Sequence, residues 1–287
     1  MANNEEFLVP RPGEKLSFEE LRALEKEMLH EFMQFCADHR IRFWLAYGSL
    51  LGAVRHADMI PWDDDIDIVM PKSDYNKLLE VVKSLGDGVM ITENLKLVAP
   101  TTDPNAYAIF PKIVDVRTRS QEELLREDLT GITTGVWLDI FVLYGHRPSS
   151  VVEKIARVAH QISFVAARLG TFKALPSYSL QGKLLHAALG PIVKLTGHRL
   201  WVKAADSITR HCFAGCENAT HLFIEAETDK LLPRSMFERT KLMDFGSYRF
   251  PVPAGYDEFL RISYGDSYRE LPPEADRYSH SLDAWWL

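Results

Sequence analysis

The sequence predicts an α+β protein, in which a mixed β-sheet forms the core, helices flank the sheet and a helical insert interrupts it. Over the first half of the chain, helical spacing of apolar residues alternates with short apolar runs of strand length. A helical stretch without strand candidates then occupies about 150–211. We therefore expect a single domain over 1–287, with a core of about 17–145 and 220–287.

The composition is that of an ordinary globular protein, with 287 residues, 46% apolar and 25% charged. A formal charge of −7 argues against a general nucleic-acid-binding protein. Cys36, Cys212 and Cys216 are too few for a disulfide framework. Because the sequence shows neither a signal peptide nor an apolar run of 18 residues, we expect a cytoplasmic protein.

Two helices are predicted in the first hundred residues, one before and one after the stretch 41–70. Ser17 and Glu20 form a capping box, and apolar residues then recur at helical spacing to about position 39. A second helix begins after Pro71 and extends to about position 85. Strand candidates follow at 89–92, 95–98, 106–110, 113–116 and 135–143.

The most informative stretch lies between these helices, at 41–70. Its apolar start, 41–47, predicts a buried strand, after which Gly48 and Ser49 begin a short helical turn. Gly48 allows the backbone to approach a ligand closely, and Ser49 is placed to cap the helix. Amide groups at such a helix start would face an anion.

An acidic segment follows this turn. Asp63, Asp65 and Asp67 alternate with other residues, so they should point to one face of a strand, with successive Cα atoms roughly 6.6–7 Å apart. Carboxylates at this spacing suit hard divalent cations. The alternative is a solvated acidic loop, which would not need the interleaved Ile66 and Ile68.

Two further charged residues lie in or beside apolar strand candidates. Asp139 stands in the middle of 135–143. Because an unpartnered buried carboxylate is unfavourable, Asp139 requires a metal, a cation or backbone amides as partners. Lys112 precedes 113–116 and is either a phosphate-binding residue or a surface lysine.

The helical insert is basic, with nine Lys or Arg against two acids at 151–211. Such a segment fits an anionic membrane surface, a polyanionic acceptor or a solvated helical subdomain. Four possible soft-metal ligands lie at its end, but their spacing lacks the paired cysteines of zinc sites, so ordinary packing is preferred. These ligands are His211, Cys212, Cys216 and His221.

The central stretch resembles the LicD family, which includes bacterial phosphocholine transferases and is related to fukutin-type ribitol-phosphate transferases within the nucleotidyltransferase superfamily. The resemblance rests on YGSLLGAVRH at 47–56 and IPWDDDIDI at 60–68. The family usually has two glycines at the turn, and here the second is Ser49. Segments around Lys112, around Asp139 and over 250–280 are also similar to the family.

The resemblance implies a nucleotidyltransferase-like core and a metal-dependent reaction. Phosphocholine or another phospho-alcohol would move from a CDP-activated donor to a sugar hydroxyl of a glycan or lipid-linked glycan, as in teichoic acid or lipopolysaccharide precursors, and CMP would leave. No nucleic acid is implied. The reaction would take place in the cytoplasm, at the inner face of the membrane if the insert contacts lipid.

The same resemblance implies a role for each candidate residue. Asp65, Asp67 and Asp139 would be catalytic and would bind Mg²⁺ or Mn²⁺, Asp63 would be a further ligand, and Asp139 would also be the general base. The donor would be bound by Gly48, Ser49, Arg55, His56 and Lys112. His56 has the alternative of a core imidazole. The C-terminal segment would close over the site with Tyr264, Arg277 or His280, or would simply pack as a terminal wrap.

Two other functions remain open from the sequence. A nucleotidyltransferase would move NMP from an NTP to a small hydroxyl compound and release pyrophosphate, using the same acids. A non-catalytic cation-binding scaffold would keep the fold without the reaction, although it would not need all of Asp65, Asp67 and Asp139.

Overall fold

The structure is a computed structural model that describes residues 10–86, 89–103, 106–121, 132–147, 150–173, 180–224, 227–277 and 282–287. Its α-helices are α1 Phe18–Asp38, α2 Tyr47–His56, α3 Lys72–Ser84, α4 Val151–Thr171, α5 Leu180–Thr196, α6 His198–Cys212 and α7 Tyr256–Tyr264. Its strands are β1 Trp44–Leu45, β2 Ile66–Pro71, β3 Leu95–Val98, β4 Lys112–Asp115, β5 Thr118–Gln121, β6 Trp137–Gly145, β7 His221–Ile224, β8 Glu227–Pro233, β9 Thr240–Phe245, β10 Tyr248–Pro253 and β11 Asp283–Trp286.

The central sheet is mixed, which confirms the predicted α+β class. Its strands lie in the order β1-β2-β6-β4-β3, and β7 with β8 extends it from the far end of β6. β2 and β6 are parallel, whereas the other neighbours in this sheet are antiparallel. Apart from Phe141, the side chains of β6 are buried, because the sheet is covered on both faces.

Helix α1 forms as its sequence predicts. Ser17 and Glu20 make the reciprocal capping box, and the apolar side chains of α1 pack into the main core. Glu25 is the exception on this buried face, because it is fully buried and neither carboxyl oxygen has a hydrogen-bond partner among the described residues. Burial first, and then the charges of Asp65, Asp64 and Asp63, raise the pKa of Glu25 well above its usual value.

The predicted strand 41–47 is shorter than expected. Only Trp44 and Leu45 pair with β2, and the chain turns at Tyr47, whose φ is +40°. Helix α2 therefore begins at Tyr47 and has Ala46 as its N-cap, so the prediction that Ser49 caps this helix is wrong. The observed N-cap lies three residues before Ser49, and the turn is made by Tyr47 in the left-handed conformation.

The later strand predictions have mixed outcomes. β3, β4 and β6 form where strands were expected, to within two residues at each end. The candidates 89–92 and 106–110 are not strands: the first contributes one isolated bridge, from Met90 to Lys96, and the second is a buried loop. The first segment lies beside the edge strand β3, where the Val89 carbonyl accepts a hydrogen bond of 2.7 Å from the Leu97 amide, but the contact does not extend into a ladder.

The insert consists of α4, α5 and α6, as its periodicity predicts. The chain leaves the sheet at Gly145 and returns at Ala214, where the Gly145 amide donates to the Ala214 carbonyl at 2.9 Å. Among the helices that the structure describes, we find none with the length and hydropathy needed to cross a bilayer. Within the same residues, the candidate soft-metal ligands His211, Cys212, Cys216 and His221 do not form a metal-ligand cluster.

Candidate functional site

Three carboxylates converge at the centre of the sheet. Asp67 of β2 and Asp139 of β6 are direct partners in the parallel register, which places them side by side. Asp65 lies two residues before Asp67 and shares its face of the sheet. Ligand oxygens of Asp65, Asp67 and Asp139 all lie within 4.8 Å of one another, so the structure brings the three predicted catalytic acids together.

The convergence raises the pKa of Asp67 well above its usual value. Burial is the largest cause, followed by the charges of Asp65, Asp139 and Asp63, and Lys112 opposes them. Burial and the neighbouring negative charges thus both favour the protonated form of Asp67 over its charged form.

Lys112 is the cation closest to this cluster in the described structure. Its Nζ atom lies 3.1 Å from Asp139 Oδ1, and the backbones of Lys112 and Asp139 are register partners. Only about 6% of Lys112 is exposed, which excludes the surface-lysine alternative. The ammonium group also lies 3.8 Å from the ring centroid of Trp137, so aromatic faces on this wall are already in contact with a cation.

Ser49 has a different role from the predicted cap. Its side chain is buried, and its hydroxyl accepts a hydrogen bond of 2.8 Å from the backbone amide of Asp67. The Asp67 carbonyl in turn accepts a bond of 3.0 Å from the Ala46 amide. Both backbone groups of Asp67 are thus fixed to the corner between β1 and α2, so this corner positions one of the three converging carboxylates.

Gly48 permits a close approach between α2 and the acidic segment. A Cβ atom at position 48 would lie only 2.6 Å from Asp63 Oδ2. The carboxylate of Asp63 therefore lies against the first turn of α2, where an anion is favoured by the helix dipole. Asp63 lines the same cavity as the three converging acids but does not belong to their cluster, so its role as a metal ligand stays a prediction.

We expect Gly48→Ala to lower activity by roughly 10- to 100-fold with little loss of stability, because the added methyl group displaces the Asp63 side chain rather than backbone. Steady-state kinetics and thermal unfolding of the same preparation measure the two effects. Gly190→Ala is the control, since a Cβ at position 190 meets no atom within 4 Å. Equal activity of both variants would contradict the expectation.

The acids lie on the wall of a cavity of about 1090 Å³. This volume is at the upper end of the range for small-molecule sites, so a nucleotide-sized ligand fits. Gly48 and Arg55 line it from α2, and the C-terminal segment contributes Tyr264. The cavity wall that the sequence did not predict comes from the insert, through Phe164, Ala167, Arg168, Thr171 and Phe172.

Arg55 and His56 differ in their relation to the cavity. The guanidinium of Arg55 donates to the carbonyls of Tyr268 and Glu270, and burial lowers its pKa. His56 does not line the cavity but packs edge-on against Trp62, and burial followed by the charges of Arg55 and Arg22 lowers its pKa. The partly buried His56 ring, packed on Trp62 outside the cavity lining, favours the packing alternative for His56.

The C-terminal segment crosses the cavity beside Trp62. The Arg277 guanidinium lies 4.8 Å from the Trp62 ring centroid, on the ring that Arg55 also approaches at 6.0 Å. The Leu282 amide donates to Asp64 Oδ2, which ties this segment to the acidic loop. The third residue proposed for closure, His280, lies outside the described residues.

Sequence reasoning missed most of the aromatic wall, although a signal was present. Trp137 and Phe141 lie two positions before and after Asp139, so the period of a strand already places all three on one face. No comparable signal pointed to the residues of α4, because their contact with the site depends on how the insert packs.

The three carboxylates fit a divalent metal ion such as Mg²⁺. Their oxygens are the ligand type that hard cations prefer. Asp139 Oδ1 is buried and accepts no hydrogen bond from the described residues, since its contact with Lys112 is an ion pair without hydrogen-bond geometry. A bound cation would stabilise this buried carboxylate oxygen, which lies beside an aspartate with a raised pKa.

Comparison with known proteins agrees with the resemblance read from the motifs. The family described as LicD/FKTN/FKRP, nucleotidyltransferase domain, matches residues 40–109. The lipopolysaccharide cholinephosphotransferase LicD of Haemophilus influenzae is 26% identical over 285 residues, which cover 95% of this chain and 99% of the relative. The human and mouse ribitol 5-phosphate transferases FKRP are 64% identical over 28 residues, or 10% of this chain and 6% of theirs. The predicted likeness to the LicD family is thereby confirmed.

Proposed function

We propose that this chain, a LicD-like protein, moves a phospho-alcohol, with phosphocholine as the first candidate, from a CDP-activated donor to a sugar hydroxyl. The acceptor would be a cell-surface glycan, teichoic acid or lipopolysaccharide precursor, and CMP would be released. The observation that carries the proposal is the convergence of Asp65, Asp67 and Asp139 within 4.8 Å on the wall of a nucleotide-sized cavity. The likeness to a cholinephosphotransferase over 95% of the chain supports the choice of reaction.

Asp65, Asp67 and Asp139 would hold Mg²⁺ or Mn²⁺, with Asp63 as a further ligand. A cation bound there would lower the pKa of the acceptor hydroxyl and neutralise charge on the leaving phosphate. Asp139 would accept the proton of that hydroxyl, from a distance of about 2.6–3.2 Å or through one water. Its ion pair with Lys112 supports this assignment, because a neighbouring ammonium group orients the carboxylate.

The donor's phosphates would be bound at the N-terminus of α2. The amides of Gly48 and Ser49 belong to its first turn, where helical N–H groups lack partners within the helix. Lys112 and Arg55 would add positive charge on two other sides of the cavity. The placement of His56 behind Trp62 gives it no contact with the donor in this arrangement.

We further propose that the chain is one catalytic domain, in which the insert closes one side of the site. The contribution of α4 to the cavity supports this, because the insert then shapes the space for the acceptor. CDP-activated donors would be met in the cytoplasm, so the reaction would take place there or at the inner membrane face.

A second candidate function is transfer of NMP from an NTP with release of pyrophosphate. It is favoured by the match of residues 40–109 to a domain described as a nucleotidyltransferase. The same acids would serve both reactions, because each breaks a phosphoanhydride bond. The non-catalytic scaffold is disfavoured, since a scaffold does not require three acids in one cluster.

Calorimetric titration separates these functions. CDP-choline, CDP-ribitol and CTP are titrated into the protein with Mg²⁺, with Mg²⁺ replaced by chelator, and into Asp67→Asn. We expect a CDP-alcohol to bind best, and its affinity to fall at least tenfold without metal or in the variant, since metal and phosphate are bound together.

Other outcomes have equally clear meanings. Preference for CTP, with pyrophosphate as the product released on incubation with a hydroxyl acceptor, would replace the proposal by nucleotidyl transfer. Absence of any metal-dependent nucleotide binding by the wild-type protein would leave the scaffold as the remaining function.

A further inference from the structure

Helix α5 carries an apolar surface that is exposed among the residues that the structure describes. Its buried residues, Leu189 and Val193, pack against α4 and Trp201. The opposite side of the helix, which we term the α5 outer face, presents apolar residues at helical spacing to solvent. Its members are Leu184, Ala188, Pro191, Ile192 and Leu195.

The exposure of this face is unusual for a helix of a globular core. Leu195 is 89% exposed, Leu184 64% and Ile192 47%. A helix that is apolar on both sides normally lies inside a protein or in contact with lipid. Contiguous exposed apolar surface of this kind marks a binding surface.

Positive charge is enriched in the sequence that contains the α5 outer face. Residues 180–212 contain five Lys or Arg and one acid, whereas the remaining sequence contains 28 Lys or Arg and 39 acids. Lys194 is exposed beside the apolar stripe, and Arg199 and Lys203 are exposed on α6, which follows α5 after Gly197 alone. The basic residues are thus concentrated at the exposed apolar helix of an otherwise acidic protein.

We propose that the α5 outer face docks on the surface of an anionic lipid bilayer. An interfacial helix buries an apolar face at the headgroup boundary and flanks it with Lys and Arg, which is the arrangement found here. A second copy of the chain is a poorer occupant, because a symmetric contact would bring the same basic residues against each other.

Docking at this face would bring the cavity to the membrane. α5 packs on α4 through Ala166, and the neighbouring Ala167 and Arg168 line the cavity. Helix α4 therefore contacts α5 on one side and lines the cavity on another. That a lipid-linked acceptor reaches the cavity in this way rests on the proposed function, whereas docking itself does not.

The test is flotation of the full-length protein with vesicles, one set of phosphatidylcholine alone and one with 30% phosphatidylglycerol. We expect binding to the anionic vesicles at least tenfold stronger than to the neutral ones, and weaker binding as salt is added. Ile192→Glu with Leu195→Glu should reduce binding at least tenfold. Lys194→Glu should reduce it about fivefold or more, because each basic residue near an anionic surface adds roughly that factor.

Leu242→Glu is the matched control, because Leu242 is 53% exposed on β9, outside the insert. All these positions are exposed, so thermal unfolding should be unchanged. Equal binding by the double variant and wild type, or no binding of wild type to anionic vesicles, would overturn the proposal. A wild-type dimer that Leu195→Glu dissociates would also overturn it, by identifying a second copy as the occupant.

Flotation needs no turnover, so its result is separate from that of the nucleotide titration. Transfer to a water-soluble acceptor by the double variant should equal that of wild type if docking only delivers the acceptor. Docking without transferase activity would therefore retain this inference and reject the proposed function.

Discussion

Replacement of Asp67 by Asn should abolish transfer, with a loss of at least about 10³-fold, and should stabilise the metal-free protein at neutral pH. We expect the loss because the variant removes one of the three converging carboxylates proposed to hold the metal, and a bound metal would supply several kcal/mol of charge stabilisation. At about 1.4 kcal/mol per factor of ten, three orders of magnitude correspond to roughly 4 kcal/mol. Product release in the presence of Mg²⁺ measures this effect.

The stabilisation follows from the raised pKa of Asp67. Between about pH 4 and that raised pKa, the unfolded chain has lost a proton that the folded protein retains. The free energy of unfolding of the wild type therefore falls as pH rises through this window. Asn carries no charge, so the advantage of the variant should be absent near pH 3 and present at pH 7, as measured by urea unfolding in chelator.

Mg²⁺ should make the wild type more stable than Asp67→Asn, which reverses the order expected without metal. Mg²⁺ at 100 times its dissociation constant stabilises the wild type by about 2.7 kcal/mol, and the variant by much less. Asp244→Asn is the control, because Asp244 is an exposed carboxylate that pairs with Arg249. A variant that retains both activity and the Mg²⁺-dependent increase in stability would remove Asp67 from the metal site.

Lys112→Met should lower the free energy of unfolding of the metal-free protein by roughly 3–5 kcal/mol. The substitution removes a buried ammonium and leaves Asp139 without its ion-pair partner, beside Asp67. Urea unfolding in chelator measures the loss. Saturating Mg²⁺ should recover part of it, because the cation replaces the missing positive charge near Asp139.

A second substitution separates the charge effect from simple loss of packing. Lys112→Met with Asp139→Asn should regain most of the stability, since the unpaired charge is gone. Arg249→Met is the control, because its pair with Asp244 is exposed and contributes at most about 1 kcal/mol. If Lys112→Met alone were as stable as wild type, the ion pair of Lys112 with Asp139 would not offset the unfavourable free energy of burying the Asp139 carboxylate.

Local signals in the sequence were sufficient to predict the helices whose ends are set by neighbouring residues. The capping box of Ser17 and Glu20 sets the start of α1, and helical spacing sets its length, because both act within a few residues. The start of α2 could not be predicted in the same way. It depends on the left-handed conformation of Tyr47, which is held by contacts of its ring with Phe141 and Phe259.

The sequence could predict the acids of the site because each acid differs from the residues around it. Asp65 and Asp67 stand in an alternating segment, and Asp139 interrupts an apolar strand, so each is an exception to its surroundings. Their register across β2 and β6 is non-local and could not be derived from these patterns. Ser49 shows the same limit, because its bond to the Asp67 amide joins residues 18 positions apart.

The place where the insert leaves and rejoins the sheet has a consequence for the cavity. Gly145 and Ala214 meet at a single bridge, and a side chain at position 145 would lie 2.3 Å from the Gly215 carbonyl oxygen. The insert thus leaves and rejoins the sheet at neighbouring points, and the register of β2 and β6 is set by residues outside it. Because α4 within the insert lines the cavity, changes in the insert would alter this wall of the cavity and leave the converging carboxylates in place. The connectivity of this fold thus separates the cavity wall that the insert contributes from the strands that carry Asp67 and Asp139.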